Sequence, residues 1–137
     1  MSDTVFRWPL RVYIEDTDAG GIVYYVNYLK FMERARTEFL RSHGFGKDFI
    51  FNVDLMFVVH SLQCEYVKPA RLDDELFATV RLLKTGKTFL LMEQLVCYQG
   101  SEEPLCRGEV KIACVDKTTL KPRRMPADIL LALSADR

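Results

Sequence analysis

Apolar positions recur at helical spacing in the first third of the chain. The stripe follows the spacing i, i+3, i+4, i+7 and i+11, and its members are Tyr28, Phe31, Met32, Ala35 and Phe39. This spacing places all five side chains on one face of an α-helix, so the helix is expected to be buried along that face. Asn27 is expected to be the N-cap and Gly44 the C′ residue, so the predicted helix spans Asn27 to His43.

The rest of the chain alternates between runs rich in β-branched and aromatic residues and short breaks rich in turn residues. Such runs predict strands, here Val5 to Ile14, Leu55 to Val67, Glu75 to Leu83, Thr88 to Tyr98 and Leu105 to Val115. Ala127 to Leu133 is expected to form a short closing helix. This order predicts an α+β fold in which the last four strands pair as an antiparallel meander and the sheet wraps around the long helix.

Length and charge narrow the class of protein. The chain has 137 residues, so we expect a single domain over residues 1–137. The 19 basic residues balance 19 acidic ones, which gives no basic excess of the kind that nucleic-acid binders carry, and no nucleic-acid partner is expected. No run approaches the roughly 18 apolar residues of a membrane helix, and no signal peptide is recognisable. We therefore expect no integral membrane segment and a cytoplasmic location.

The cysteines and histidines suggest neither a metal site nor a catalytic triad. The four cysteines fall in strand-like segments without a C-x-x-C pair, and reduced core thiols are expected at Cys64, Cys97, Cys106 and Cys114. Of the two histidines, His43 lies at the predicted helix end, where a cation complements the helix dipole. His60 lies within a predicted strand and is interpreted as structural.

The loop before the helix is the strongest local candidate for chemistry. It carries two carboxylates, Asp16 and Asp18, followed by Gly20 and Gly21. Glycines let the backbone approach a ligand closely, and a helix N-terminus offers unpaired N–H groups. Together these features suit an oxyanion hole with a carboxylate nearby as nucleophile or general base. The same composition is also typical of a capped loop without any catalytic role.

A longer segment around this loop has a recognisable sequence. Asp16 to Tyr25 reads D-x-D-x-x-G-x-V-Y-Y, and Glu33-Arg34-Ala35-Arg36 follows on the predicted helix. The segment resembles the YbgC-type acyl-CoA thioesterases, in the 4-hydroxybenzoyl-CoA thioesterase branch of the hotdog-fold superfamily. The similarity continues through Glu65-Tyr66, Pro69 to Asp74 and Lys121-Pro122-Arg123, and so covers nearly the whole chain.

The resemblance implies a hotdog fold, which is a curved antiparallel sheet wrapped around one long central helix. It implies an acyl-CoA thioesterase that hydrolyses a thioester of CoA or of acyl-carrier protein, with no cofactor. It also implies a homo-oligomer, either a dimer or a tetramer, with active sites at the subunit interface. A non-hydrolytic protein of the same fold that binds acyl-CoA or acyl-carrier protein is the alternative. A hotdog dehydratase ranks last, because it needs a catalytic His that this loop lacks.

The resemblance also assigns site residues. The catalytic ones are Asp18, as nucleophile or general base, and Tyr25, whose backbone N–H is the oxyanion donor. Candidate substrate-binding residues are Gly21, Val23, Tyr24, Lys87 and Thr88. Lys87 lies in the turn Gly86-Lys87-Thr88, which is either a phosphate contact for CoA or an ordinary hairpin turn. Weaker options for the phosphates are Arg71 and the cluster Lys121, Arg123 and Arg124.

Two positions depart from the resembled sequences. Tyr25 stands where YbgC-type members usually carry His, so a His-assisted step is not expected, and Ile14 stands where they often carry Tyr. Glu33 and Arg36 match the helix motif. They are interpreted as an internal pair or an interface group, with Glu33 as a base the lesser interpretation.

Overall fold

A computed structural model describes residues 5–47 and 53–134. It contains one antiparallel sheet, one long helix and a short closing helix. The strands are β1 (Phe6–Arg11), β2 (Leu55–Tyr66), β3 (Glu75–Thr85), β4 (Phe89–Tyr98) and β5 (Pro104–Asp116), and the helices are α1 (Val26–Ser42) and α2 (Ala127–Ser134). A 3-10 turn covers Ile14–Asp16. The predicted strands and helices are confirmed, with ends that differ by a few residues, and the fold is α+β.

The order of the strands corrects the predicted meander. The sheet runs β1-β3-β4-β5-β2, so β2 pairs with β5 and not with β3. The place beside β3 is taken by β1, whose Phe6 lies opposite Val80 and whose Arg11 lies opposite Glu75. As a consequence β2, which has 12 residues, forms an edge of the sheet, and no strand of the described residues pairs with its outer side.

The long helix α1 lies against the sheet along the predicted stripe. All five stripe residues are buried, and Phe31, Met32 and Ala35 have no exposed surface. Gly108 of β5 lies beneath the helix, where an added Cβ would come within 3.1 Å of the Met32 side chain. A glycine in this strand therefore lets the helix approach the sheet closely.

The C-terminal end of α1 forms as predicted. Gly44 has a φ of 90°, and its N–H donates to the carbonyl of Arg41 at 2.9 Å. The N–H of Phe45 donates to the carbonyl of Leu40 at 3.0 Å. These two bonds are those of a Schellman motif, in which Gly adopts the left-handed conformation without a steric penalty.

The start of α1 differs from the prediction. The helix begins at Val26, and its N-cap residue is Tyr25 and not Asn27. The Asn27 side chain instead reaches back to the preceding loop, where its Nδ2 donates to the backbone carbonyl of Asp16 at 2.8 Å. A short polar side chain that can serve as a cap can equally serve a neighbouring backbone group.

The cysteines agree with the core thiols that the sequence predicts. All four cysteines are free, with Cys97, Cys106 and Cys114 buried and Cys64 half-buried. Burial raises the pKa of the Cys97 and Cys114 thiols, which keeps them in the unreactive thiol form.

None of the helices in the described ranges is both long and apolar enough to cross a membrane.

Candidate active site

The first carboxylate of the loop before α1 is structural. Asp16 is 7% exposed, and its Oδ2 accepts a hydrogen bond from the Tyr13 N–H at 2.9 Å. Its backbone carbonyl accepts two further bonds, one from the Tyr24 N–H at 2.9 Å and one from the Asn27 side chain. Asp16 therefore fixes both ends of the loop with its own polar groups.

The second carboxylate is exposed. Asp18 is reached by solvent, and its Oδ1 accepts one hydrogen bond, from the Gly20 N–H at 2.8 Å. This bond closes an Asx turn, which orients the carboxylate. Its second oxygen accepts no hydrogen bond from any described residue. Of the two carboxylates, Asp18 is the one that a ligand can reach.

The loop is attached to the connection between β2 and β3. The Val23 N–H donates to the carbonyl of Ala70 at 2.8 Å, and Ile22 and Arg71 form an isolated antiparallel bridge. Gly21 turns the chain directly before these contacts with a φ of 80°, a conformation that an L side chain rarely adopts. The loop is therefore held to the β2–β3 connection directly after the glycine.

The backbone N–H of Tyr25 is available at the start of the helix. No described residue accepts a hydrogen bond from it, as expected at a helix N-terminus. The partial positive charge of the helix end lies at the same place. An oxygen that develops negative charge is stabilised by this combination.

An aromatic cavity of about 310 Å³ opens beside Tyr25. The Tyr66 ring lies 5.8 Å from the Tyr25 ring and 5.7 Å from the Tyr28 ring, measured between centroids. The Tyr28 hydroxyl accepts a hydrogen bond from the Ala70 N–H at 2.9 Å, and burial raises the pKa of Tyr28. We call this space the aromatic cavity.

A second cavity, of about 250 Å³, lies between α1 and β2; we call it the α1–β2 cavity. Most of its lining is apolar and comes from Val26, Leu29, Met32, Val59, Leu62 and Val110. Three charged residues of the helix complete it, Lys30, Glu33 and Arg36. Because Val26 directly follows Tyr25, the two cavities flank the start of the helix.

The structure brings some predicted site residues together and separates others. Asp18, Gly21, Val23, Tyr24 and Tyr25 all lie in the one loop, with Val23 buried and Tyr24 packed on Tyr25. The predicted substrate-binding turn lies apart from this loop within one chain. That turn, with Lys87 and Thr88, follows β3, whose other end lies beside the loop. The 11 residues of β3 separate the two places by about 35 Å at 3.3 Å per residue.

The weaker basic candidates are also separated from one another. Arg124 joins Lys87 around a cavity of about 380 Å³ at the far end of the sheet. Arg123 pairs with Asp116 at 3.6 Å. Arg71 lies beside the loop, because it forms a bridge with Ile22. Among these weaker candidates for a phosphate contact, Arg71 is therefore the one near Asp18 in the same chain.

Arg36 makes a contact that the sequence interpretation missed. Its Nη1 donates to Oε1 of Gln94 at 2.9 Å, whereas no ion pair with Glu33 within 4.0 Å occurs among the described residues. Gln94 is completely buried and donates from Nε2 to the carbonyls of Met32 and Thr79. The available signal was a glutamine within the apolar alternation of β4, at Leu90, Met92, Gln94 and Val96.

Among the described residues, no group of three or more His, Cys, Asp or Glu side chains has a geometry that holds a metal ion.

Replacing Asn27 by Ala is expected to lower the free energy of unfolding by about 1–1.5 kcal/mol, because the buried carbonyl of Asp16 loses one of its two hydrogen-bond donors and keeps the Tyr24 N–H. Urea denaturation at a fixed protein concentration measures this loss. Thr37→Ala, an exposed change on the same helix, is the control and is expected to stay within about 0.5 kcal/mol of the wild type. Equal effects of the two substitutions would show that the hydrogen bond between Asn27 and the loop contributes nothing to stability.

A curved antiparallel sheet on one long helix, with a carboxylate loop at the helix start, defines a hotdog-fold thioesterase. The family model of the thioesterase superfamily matches residues 20–104 of the chain. The chain belongs to this family, and it is an enzyme that hydrolyses thioesters.

Individual relatives show which type of thioesterase within the superfamily the chain resembles. The chain is 43% identical to the acyl-CoA thioester hydrolase YbgC of Escherichia coli O6:H1 over 130 residues, which cover 95% of this chain and 96% of the relative. It is 40% identical to the acyl-CoA thioesterase YbgC of Haemophilus influenzae, with 96% of each chain covered. The crystal structure of a probable thioesterase from Bartonella henselae is 35% identical, with a TM-score of 0.82 over 89% of this chain and 99% of that one. Within the superfamily, the chain is therefore of the YbgC type.

Proposed function

We propose that this protein is an acyl-CoA thioesterase that releases a free acid and CoA, with Asp18 and Tyr25 as its catalytic groups in a single domain. The observation that carries the proposal is the loop geometry. One fixed loop presents an exposed carboxylate at Asp18 and an N–H without an acceptor among the described residues at Tyr25. These are the two groups that acyl transfer from a thioester requires.

The chemistry needs few further groups. The thioester carbonyl oxygen accepts a hydrogen bond from the Tyr25 N–H, and the helix end stabilises the negative charge that develops on that oxygen. The Asp18 carboxylate either attacks the carbonyl carbon, forming an anhydride that water then hydrolyses, or takes a proton from the attacking water. CoA leaves as a thiolate, which requires no strong acid because a thiol has a pKa of about 8.5. Tyr25 in place of His is compatible with either route.

The two cavities supply places for the two sides of the substrate. The α1–β2 cavity, which begins at Val26 and is largely apolar, suits the acyl chain. The aromatic cavity beside Tyr25 suits the pantetheine arm that leads to the CoA nucleotide. In this arrangement the thioester carbonyl lies between the cavities, at the backbone N–H of Tyr25, with Gly21, Val23 and Tyr24 forming the surrounding loop.

The edge strand β2 supports a homo-oligomer. It has 12 residues, and no strand of the described residues pairs with its outer side. A long unpaired edge is a template for pairing with another chain. In a dimer whose two β2 strands pair antiparallel, the two sheets point in opposite directions. The end of the second sheet that carries its Lys87–Thr88 turn then lies on the side of this chain's helix start. The Lys87–Thr88 turn of that copy would then lie near the site, so the complete active site requires a dimer, whether or not two dimers associate further.

The test of the proposed function is thiol release from a panel of acyl-CoA and acyl-carrier-protein thioesters of different chain lengths, both aliphatic and aromatic. Saturable release of CoA from at least one acyl-CoA supports the proposal. Saturable binding of the whole panel without release, measured by calorimetry, would instead support a carrier of acyl-CoA and would overturn it. Release from carrier-protein thioesters alone would overturn the choice of CoA.

Replacing Lys87 by Gln is expected to raise KM for acyl-CoA about fivefold with kcat unchanged, because one exposed contact to a phosphate contributes roughly 1 kcal/mol. The increase should vanish at high salt and with an acyl-pantetheine substrate, which lacks the nucleotide phosphates. Arg34→Gln, an exposed change of the same charge on α1, is the control. An equal increase in KM for acyl-pantetheine would rule out a phosphate contact at Lys87.

A further inference from the structure

Arg36 lines the α1–β2 cavity, and a hydrogen bond fixes the direction of its side chain. Its guanidinium donates to the side-chain carbonyl of Gln94 at 2.9 Å. The Gln94 amide is itself fixed, since it is fully buried and donates to the carbonyls of Met32 at 2.9 Å and Thr79 at 3.2 Å. A side chain that is ordered before a ligand arrives loses little conformational entropy on binding.

The Arg36 guanidinium has hydrogen-bond donors that no described residue accepts. Among the described residues, no carboxylate lies within 4.0 Å of it, and its recorded hydrogen bond is the one to Gln94. No buried side-chain nitrogen of the described residues lacks a partner, so an Arg36 nitrogen without a partner is exposed, and Arg36 lines the cavity. Burial lowers the pKa of Arg36, and the charge of Glu33 opposes this effect, but an arginine stays protonated in either case.

The helix residues that line the cavity extend from Val26 to Arg36. Ten helical residues separate the Cα atoms of these two by about 15 Å. A chain of eight to ten carbons spans about 10–13 Å at roughly 1.3 Å per carbon, as C–C bonds of about 1.5 Å require.

The lining of the cavity suits both parts of such a chain. Six of its residues are apolar and suit the methylene groups. The Arg36 cation suits a carboxylate, which Arg binds through two parallel hydrogen bonds.

We propose that Arg36 recognises the far carboxylate of a medium-chain ω-carboxyacyl thioester, that is, the monothioester of a dicarboxylic acid of about eight to ten carbons. The thioester end lies at Tyr25 and the methylenes lie along the α1–β2 cavity. This inference rests on the proposed function and adds the class of acyl group. Arg36 is a specificity-determining residue here and takes no part in the bond changes.

The test compares matched CoA thioesters that differ only in the far end, octanoyl with its eight-carbon ω-carboxy analogue and decanoyl with its ten-carbon analogue. kcat/KM is measured for the wild type, Arg36→Gln, Arg36→Lys and, as a charge-matched control, Arg34→Gln. Arg36→Gln should lose about 10- to 100-fold on the ω-carboxy substrates, the range of a hydrogen bond to a charged group. The same variant should stay within about threefold of wild type on the unsubstituted acyl chains, Arg36→Lys should recover part of the loss, and the control should lose nothing.

The unsubstituted substrates also report whether a variant is folded, because a damaged protein loses both activities together. If Arg36→Gln does not fold, Arg36→Lys is compared with Arg34→Lys instead. The quantity compared is again the ratio of kcat/KM on ω-carboxy substrates to kcat/KM on unsubstituted ones. The inference is wrong if the ratio of ω-carboxy to unsubstituted activity is the same in wild type and variants. It is also wrong if the substitution changes only the mass of the oligomer, since Arg36 would then bind a second copy. Failure of the wild type to release CoA from any thioester would overturn the proposed function itself.

Discussion

Replacement of Asp18 by Asn is expected to lower kcat for thioester hydrolysis about 10³- to 10⁴-fold, which is the scale of losing a carboxylate that acts directly in acyl transfer. The asparagine side chain has the same shape, and its Oδ1 can still accept the hydrogen bond from the Gly20 N–H that Asp18 now accepts. The amide is neither a nucleophile nor a base at neutral pH. The loop should therefore keep its conformation while the reaction loses its reactive group.

Stability measurements separate this effect from misfolding. Because Asp18 is exposed, Asp18→Asn should leave the free energy of unfolding within about 0.5 kcal/mol of the wild type. The matched control is Asp16→Ala, two residues earlier in the same loop. Asp16 is buried and accepts the Tyr13 N–H, so this change should cost about 1–3 kcal/mol of stability.

The pattern across the two variants decides the roles of the carboxylates. Steady-state thiol release gives kcat, and urea denaturation gives stability on the same preparations. An Asp18→Asn enzyme that retains more than a third of wild-type kcat would exclude Asp18 from the chemistry. Saturation of Asp18→Asn with acyl-CoA at an unchanged Kd would show that the substitution acts on the reaction step and not on binding.

Local features of the fold could be predicted because short-range patterns determine them. The stripe from Tyr28 to Phe39 determines which face of α1 is buried, and Gly44 supplies the left-handed residue that ends the helix. The partner of β2 could not be predicted in this way. Its sequence is compatible with pairing to either β3 or β5, and the outcome depends on β1, which lies far away in sequence and occupies the edge of β3.

The distinction between short-range and long-range features also applies to the candidate site. Asp18 and Tyr25 lie seven residues apart in one loop, so a sequence motif could identify both. Lys87 belongs to a different part of one chain, and only the position of β3 shows that the two places lie at opposite ends of the sheet. The contact between Arg36 and Gln94 joins residues 58 positions apart, and a polar residue in an apolar alternation indicates that a partner exists without identifying it.

Replacement of Phe31 by Ala is expected to lower the free energy of unfolding by about 3–5 kcal/mol, the usual cost of removing a buried aromatic side chain. Phe31 has no exposed surface, and its ring packs edge-on against Tyr28, with 6.0 Å between centroids. Leu131→Ala is the control, because Leu131 is 73% exposed on α2 and its loss should stay within about 0.5 kcal/mol. Urea denaturation must be compared at one protein concentration, since subunit association shifts the transition.

The Phe31 substitution also tests how the helix supports the site. Since α1 begins directly after Tyr25, a helix that is less firmly packed holds the oxyanion donor less firmly, and a small displacement of such a group lowers the rate. Phe31→Ala should therefore lower kcat under conditions in which circular dichroism shows it to be folded, whereas Leu131→Ala should not. If Phe31→Ala loses stability but retains full kcat, the sheet and the loop alone position the Tyr25 N–H.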